Sequence, residues 1–196
     1  MEKLEAALAK AREMRKSALV GSPVEPREKV VLKAAPSTDW VSLPEIDIAP
    51  DKARRNRITV LSGGKDAAPY DMLRSRTIRQ MKDKTWSRLA ITSPGAACGK
   101  TTIAINLALS LSRQKDLKVM LFDLDVRRPT IHKQLNFSPK HSFHEVLEGK
   151  VAFEDLAVRF GDNLIIAMNR SPSRHPAELL QAAATRDALN EIERRW

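Results

Sequence analysis

Residues 94–102 read Pro-Gly-Ala-Ala-Cys-Gly-Lys-Thr-Thr and lie between a short apolar run and a longer amphipathic stretch. The run before them, residues 89–91, is predicted to be a buried strand. A loop between a strand and a helix directs backbone N–H groups and the helix N-terminus at one point, which suits a polyphosphate. The nine residues therefore predict a phosphate-binding loop. After it, apolar residues recur at the spacing of one helix face: Ile103, Ala104, Leu107, Ala108 and Leu111.

The residue types of this loop suggest individual roles. Lys100 supplies a positive charge for the β- and γ-phosphates, and the Thr101 hydroxyl is a ligand for Mg²⁺. The loop is irregular, since Pro94 stands where the common pattern has its first glycine, and Gly95 follows one residue later. The residues predicted to bind the nucleotide are Ala96, Ala97, Cys98, Gly99, Lys100, Thr101 and Thr102.

A second motif follows at residues 119–129, which read Val-Met-Leu-Phe-Asp-Leu-Asp-Val-Arg-Arg-Pro. Because side chains alternate along a strand, Asp123 and Asp125 are predicted to lie on the same face at its carboxyl end. Ligands of open α/β sheets bind at that end. Two carboxylates there either hold Mg²⁺ with its waters or take a proton from an attacking hydroxyl.

With these two motifs, the chain resembles the cytoplasmic kinase domain of bacterial tyrosine kinases of capsular and exopolysaccharide biosynthesis. The Asp-x-Asp-x-Arg strand resembles their second Walker-type motif, and Arg127 with the next two residues is typical of them. Downstream, residues 176–180 resemble their Pro-x-Glu-Leu-Leu segment. The resemblance covers residues 58–196.

Chromosome-partitioning and septum-positioning ATPases are neighbouring relatives of that family and share its fold. Their loop usually has a signature lysine at the position of Gly95, and its absence favours the kinase branch. The kinase family also tends to have an upstream Glu-x-x-Arg-x-x-Arg oligomerisation motif. The corresponding residues here are Asp71, Arg74 and Thr77, of which only the middle one matches.

The resemblance implies transfer of the γ-phosphoryl group of ATP to protein tyrosine. It implies ATP and Mg²⁺ as ligands, with the metal held by Thr101 and Asp123. The implied partner is a membrane-embedded polysaccharide chain-length regulator, which would recruit this cytoplasmic domain to the inner face of the membrane, and self-association is also implied. A nucleotide-dependent positioning ATPase, or a non-catalytic ATP-binding module, is the alternative. The implied catalytic residues are Lys100, Asp123, Asp125 and Arg127.

In the resembled family, a Walker B strand follows the helix that corresponds to the last predicted one, and a tyrosine-rich tail comes after it. The printed sequence ends at Trp196, and Tyr70 is its only tyrosine. Phosphoryl transfer depends on positioning and on neutralising charge around the γ-phosphate. We therefore expect a truncated domain that binds nucleotide but does not turn it over by itself.

Alternating strands and helices predict an α/β fold, a doubly wound and mainly parallel P-loop domain over residues 58–196. Residues 1–20 are predicted to form an amphipathic helix, and residues 21–57 a Pro-rich linker with some apolar residues that pack on the domain. The predicted strands are residues 58–61, 89–91, 118–123 and 163–168. The predicted helices are residues 70–81, a segment with Ile131 and Leu135, and residues 143–147, 153–158 and 176–192.

Composition limits the classes of partner. The formal net charge is +10, and the basic excess is concentrated around the predicted helix 70–81. A solvated helix face explains such a run, and so does a surface for an acidic partner, lipid headgroups or DNA. Aromatic residues are few, which disfavours base stacking with nucleic acid. No apolar run reaches the roughly 18 residues of a membrane span.

The cysteine and the histidines predict neither a disulfide nor a metal site. Cys98 is the only cysteine, so no disulfide forms within the chain, as in cytoplasmic proteins. Its place in the loop has two interpretations, a small residue that fits there and a redox-sensitive thiol. The four histidines lack the spacing of a metal site and are predicted to be surface or packing residues: His132, His141, His144 and His175.

Overall fold

A computed structural model describes residues 39–196, which belong to one compact unit, Pro36–Trp196. The helix predicted for residues 1–20 and the first part of the predicted linker lie outside the described residues. In chain order the elements are α1 (Asp39–Ser42), α2 (Pro50–Arg55), a 3-10 turn (Thr59–Leu61), α3 (Ala68–Lys84), α4 (Lys100–Ser112), β1 (Val119–Phe122), α5 (Ile131–Gln134), α6 (Phe143–Leu147), α7 (Phe153–Leu156), β2 (Val158–Phe160), β3 (Leu164–Ala167), α8 (Pro176–Gln181) and α9 (Ala183–Arg195).

The described strands form one sheet in the order β1-β3-β2. β1 and β3 are parallel, with Val119 opposite Leu164 and Phe122 opposite Ala167. β2 is antiparallel to β3, and the turn between them contains Gly161 at a φ of 58°. So short a connection cannot join parallel strands. The predicted α/β class is confirmed, and the described sheet is mixed, with an antiparallel edge strand.

Two apolar cores lie on the two faces of this sheet. Along β3, Leu164 and Ile166 belong to the first core, whereas Ile165 and Ala167 belong to the second. This alternation follows from the two-residue period of a strand. Helix α4 packs into the first core, and α6, α7 and α9 pack into the second. Helices therefore cover both faces, as expected for a doubly wound fold.

The last part of the predicted linker contributes to both cores. Trp40 and Leu43 are buried in the second core, and Ile46, Ile48 and Ala53 are buried in the first. The indole Nε1 of Trp40 donates a hydrogen bond to the Trp196 carbonyl oxygen at 2.7 Å. Burial of these side chains removes apolar surface from water. Residues 40–53 are therefore part of the packed domain.

Helix α3 confirms the helix predicted for residues 70–81 and is anchored on α4 by Arg74. Its guanidinium Nη1 lies 2.9 Å from Asp71 Oδ1 and donates to the hydroxyl and carbonyl oxygens of Ser110, each at 3.1 Å. Ser110 is fully buried, and its hydroxyl also donates to Asp71 at 2.9 Å. The one arginine that matches the oligomerisation motif thus makes contacts within the chain.

Residues 89–91 are not a strand, contrary to the prediction. Leu89 is 50% exposed, and no described strand pairs with this segment. A strand needs a neighbour to receive its backbone hydrogen bonds, and without one an apolar run stays irregular. The segment is held through Arg88, whose Nε donates to Glu193 of α9 at 2.8 Å.

The strand predicted for residues 58–61 is also wrong, because a buried asparagine replaces a strand partner. The Oδ1 of Asn106 accepts the Val60 N–H at 3.2 Å, and its Nδ2 donates to the Arg57 carbonyl oxygen at 2.9 Å. Asn106 is fully buried in α4. Side-chain groups can satisfy a backbone in place of a ladder. The segment accordingly forms a 3-10 turn.

Two further boundaries differ from the prediction. The helix predicted for residues 153–158 ends at Leu156, and β2 begins at Val158. The helix predicted for residues 176–192 is broken at Ala182, which has an extended conformation. In a continuous helix the N–H of residue 183 would donate to the Leu179 carbonyl oxygen. Here the buried hydroxyl of Thr185 donates to that oxygen at 2.6 Å. The strands predicted at 118–123 and 163–168 and the helices around residues 131 and 143 are confirmed.

Candidate functional site

The predicted phosphate loop leads directly into α4, as its sequence indicates. Gly99 has a φ of 86°, the left-handed conformation that glycine adopts without strain, and α4 begins at Lys100. Ala97 also has a positive φ, of 59°. The first intrahelical hydrogen bond runs from the Ile103 N–H to the Gly99 carbonyl oxygen at 2.9 Å. The N–H groups before it are the unsatisfied donors of a helix N-terminus, which attract anions.

Lys100 reaches from this loop to the end of β1. Its Nζ lies 2.7 Å from Asp125 Oδ2, and each side chain is about a quarter exposed. Burial alone would raise the pKa of Asp125, but the hydrogen bond from Lys100, the Arg128 N–H and the charge of Lys100 together lower it. Asp125 is therefore an ionised carboxylate, and the structure brings the loop and the end of β1 into contact.

Asp123 lies deeper than Asp125, at 3% exposure. Its Oδ1 accepts the Asp125 N–H at 3.2 Å, and its Oδ2 accepts the Ile131 N–H at 3.4 Å. Burial raises the pKa of this carboxyl to about 6, the charge of Asp125 adds to the rise, and the two N–H groups and Lys100 oppose it. The two neighbouring carboxyls therefore differ in proton affinity.

The two loop threonines contact α5 and the residue before it. The hydroxyl oxygens of Thr101 and Thr130 lie 3.0 Å apart. The Thr102 hydroxyl donates to Gln134 Oε1 at 3.4 Å. α5 starts directly after Thr130, and its first N–H binds Asp123. The loop, the end of β1 and the start of α5 thus form one connected cluster.

Asn169 links the ends of the two parallel strands, a role that the sequence did not assign to it. This fully buried side chain donates from Nδ2 to the Asp123 carbonyl oxygen at 2.6 Å and accepts the His144 N–H at 2.8 Å. A polar residue after a buried strand was the available signal. Because Asn169 fixes the backbone of Asp123, it positions the carboxyl end of β1.

The side chain of Arg127 lies outside this cluster. Its backbone N–H forms a hydrogen bond with Asp125, whereas its exposed side chain lines a cleft that Thr130 also lines. Its catalytic role stays a prediction. Cys98 is exposed, and its Sγ lies 3.5 Å from the Ala96 carbonyl oxygen.

The donor set of the cluster fits Mg²⁺ in chemical type. Thr101, Asp123 and Asp125 supply the hydroxyl and carboxylate oxygens that this ion prefers. Among residues 39–196 no group of three or more His, Cys, Asp or Glu side chains is placed to hold a metal ion. Mg²⁺ commonly binds through one or two protein ligands together with substrate phosphates. The residues present fit that arrangement.

The sequence pattern of the "CobQ/CobB/MinD/ParA nucleotide binding domain" family matches residues 89–188, just over half of the chain. The matched region contains the loop, β1 and β3. The chain belongs to this family. The predicted P-loop domain and its nucleotide-binding class are thereby confirmed. No helix within residues 39–196 has the length and apolar character needed to cross a bilayer.

Two curated relatives that are named as kinases agree with the resemblance. The chain is 28% identical over 110 residues to tyrosine-protein kinase ptk of Acinetobacter johnsonii, a match that covers 55% of this chain and 15% of that protein. It is 29% identical over 114 residues to tyrosine-protein kinase YwqD of Bacillus subtilis (strain 168), covering 58% of this chain and 48% of that protein. The chain thus spans at most about half the length of these relatives.

A solved structure has the same fold. The BceF tyrosine kinase domain superimposes with a TM-score of 0.62 at 20% identity, covering 78% of this chain and 65% of that one. At this identity the likeness concerns the fold alone.

Proposed function

We propose that this chain is the ATP-binding part of a protein-tyrosine kinase, which transfers the γ-phosphoryl group of ATP to tyrosine. The observation that carries the proposal is the 2.7 Å contact between Lys100 of the loop and Asp125 at the end of β1. It joins a phosphate-binding charge to a carboxylate pair at the edge of the sheet where ligands bind. The names of the relatives support the kinase over other P-loop chemistries.

In this mechanism Lys100 breaks its ion pair with Asp125 and binds the nucleotide phosphates instead. The phosphates carry more charge than one carboxylate, and the N–H groups at the start of α4 add to their attraction. Thr101 and Asp123 would hold Mg²⁺, and the bound ion would neutralise part of the phosphate charge. As a metal ligand Asp123 would be ionised, so the proton of the tyrosine hydroxyl would pass to Asp125 once Lys100 has left it.

Arg127 would neutralise charge on the transferred group once its flexible side chain turns toward Asp125, where its own backbone already lies. The other loop residues contribute backbone N–H groups rather than side chains. These are Ala96, Ala97, Cys98, Gly99 and Thr102.

The partner and location follow from the same proposal. A membrane-embedded chain-length regulator of polysaccharide export would recruit this domain to the inner face of the cytoplasmic membrane. Self-association would use surfaces other than Arg74, because that side chain is occupied by Asp71 and Ser110.

The experiment uses protein purified from its own complete gene, with γ-labelled ATP and Mg²⁺. Acid-stable label on tyrosine and released phosphate are both measured, for the parent and for Lys100→Ala. The proposal expects label on tyrosine that the substitution abolishes. Phosphate release without tyrosine label would overturn it in favour of a positioning ATPase. Nucleotide binding with neither product would identify a non-catalytic module.

A further inference from the structure

A cleft beside the loop that follows β1 gathers basic side chains. Its volume is about 260 Å³, and its walls come from the segment after β1, from α5 and from the segment after β3. Sites for drug-sized ligands usually have roughly 300–1,000 Å³, so this cleft suits one small group rather than a whole nucleotide. Four of its wall residues are cationic: Arg127, Arg128, Lys133 and Arg170.

These four side chains lack counter-charges. No carboxylate lines the cleft, and within residues 39–196 none of the four lies within ion-pair distance of an acidic group. Arg74 and Arg159, by contrast, are paired with Asp71 and Glu45. Like charges that converge on one concave surface repel one another and concentrate anions. The positive charge of the cleft therefore favours the binding of a negatively charged group.

His132 and Thr130 are the other polar residues of the cleft wall. His132 forms a hydrogen bond with the backbone of Asn169, and burial lowers the pKa of its imidazole. The positive charge of the cleft therefore comes from the arginine and lysine side chains.

We propose that this cleft is a second anion site, which binds a phosphate monoester group independently of the phosphate loop. The planar guanidinium groups of Arg127, Arg128 and Arg170 match a phosphate in two-point geometry, and the Lys133 ammonium adds a point charge. Free phosphate and a phosphorylated side chain such as phosphotyrosine share this chemistry.

The site is a neighbour of the phosphate loop and shares no residue with it; of the proposed catalytic residues only Arg127 lines the cleft. The hydroxyls of Thr130 in the cleft and Thr101 in the loop lie 3.0 Å apart, whereas Lys100 is not part of the cleft wall. The inference therefore does not rest on the proposed kinase activity. An anion in the cleft would lie next to the threonine predicted to hold the metal, so occupancy would influence the nucleotide site through Thr130.

The test measures binding of a fluorescent phosphotyrosine peptide to the full chain by anisotropy. Inorganic phosphate and the unphosphorylated peptide serve as competitors, and they distinguish recognition of the phosphate from recognition of the peptide. The double variant Arg170→Gln/Lys133→Gln removes two charges from different walls. We expect it to weaken binding about a hundred-fold, since each of the two lost charged hydrogen bonds is worth about a factor of ten.

Two variants separate binding in the cleft from binding to the general basic surface or to the phosphate loop. Arg174→Gln removes an exposed charge of the same segment outside the cleft and is expected to leave affinity unchanged. Lys100→Ala should retain peptide binding even where ATP binding is lost. Equal weakening by Arg174→Gln, loss of binding in Lys100→Ala alone, or equal competition by unphosphorylated peptide would each overturn the proposal. Thermal unfolding of every variant confirms that the fold is retained.

Discussion

The Nζ of Lys100 lies 2.7 Å from the Oδ2 of Asp125, so the phosphate loop and the end of β1 are joined by an ion pair. The two side chains are 27% and 22% exposed, and solvent therefore screens part of their attraction. Pairs of this kind contribute up to about 1 kcal/mol to stability. Such a modest contact holds Lys100 in place and still releases it when a stronger anion arrives.

Asp125→Asn should increase the affinity for ATP in the absence of Mg²⁺. The substitution frees Lys100 from its partner and removes a negative charge beside the expected phosphate position. An effect of about 1 kcal/mol corresponds to roughly five-fold tighter binding. Calorimetry in excess EDTA measures it, with Asp116→Asn as the control because Asp116 is exposed and distant in sequence. Weaker metal-free binding in Asp125→Asn would show that Lys100 does not exchange partners.

Asp123 should make stability depend on pH in the acid range. Its pKa is raised from 3.8 to about 6, so the folded state holds this proton more tightly than the unfolded chain does. The free energy of unfolding therefore falls as pH rises from about 4 to 6, by about 3 kcal/mol for this group, and then levels off.

Asp123→Asn cannot ionise and should lack that fall. Urea unfolding at pH 4, 5, 6 and 7 gives the difference between parent and variant, in which the contributions of other groups cancel. The difference should change progressively across this range in favour of the variant. Parallel curves for the two proteins would contradict the buried, proton-binding state of Asp123.

Gly99→Ala should destabilise the loop through backbone strain alone. Gly99 has a φ of 86°, and a Cβ added there meets nothing within 4 Å. A left-handed residue with a Cβ costs about 1–2 kcal/mol. Gly95→Ala is the matched control, because its Cβ would make only an ordinary contact with Cys98 Sγ at 3.8 Å. Denaturant unfolding compares the two, and equal losses would refute the strained conformation.

Trp40→Ala should test whether the end of the predicted linker belongs to the domain. Trp40 is buried, donates to the Trp196 carbonyl oxygen and has the Lys118 Nζ 4.7 Å from its ring centroid. Removal of a buried tryptophan costs about 3–5 kcal/mol. Val41→Ala, one residue away and 74% exposed, should cost little. Similar thermal unfolding midpoints for both variants would mean that this segment does not pack as described.

Local patterns predicted the parts of the fold that depend on local spacing. The helical period placed α3 and α4, and apolar runs before acidic or polar residues placed β1 and β3. Residue types at fixed spacing predicted the loop residues and Asp125 as a phosphate site, and the structure places Lys100 and Asp125 in contact. Asn169 lay outside these patterns, since no local spacing reveals that its amide reaches across to Asp123.

The errors arose where distant residues decide the structure. Residues 89–91 have the composition of a strand, but a strand also needs a neighbour, which the described sheet does not provide there. Residues 58–61 form a turn because the buried Asn106, far along the chain, satisfies their backbone. The break at Ala182 has no glycine or proline to signal it and depends on the hydroxyl of Thr185.

The most direct test is the affinity of Lys100→Ala for ATP, measured by titration calorimetry against the parent and against Lys115→Ala. Lys115 is exposed near the end of α4 and provides the same charge change away from the loop. Hydrogen bonds to charged groups contribute roughly 1.5–3 kcal/mol, so Lys100→Ala should bind ATP about ten-fold more weakly or worse. Lys115→Ala should bind like the parent. Equal affinity of Lys100→Ala and the parent would show that residues 94–102 do not form the nucleotide site.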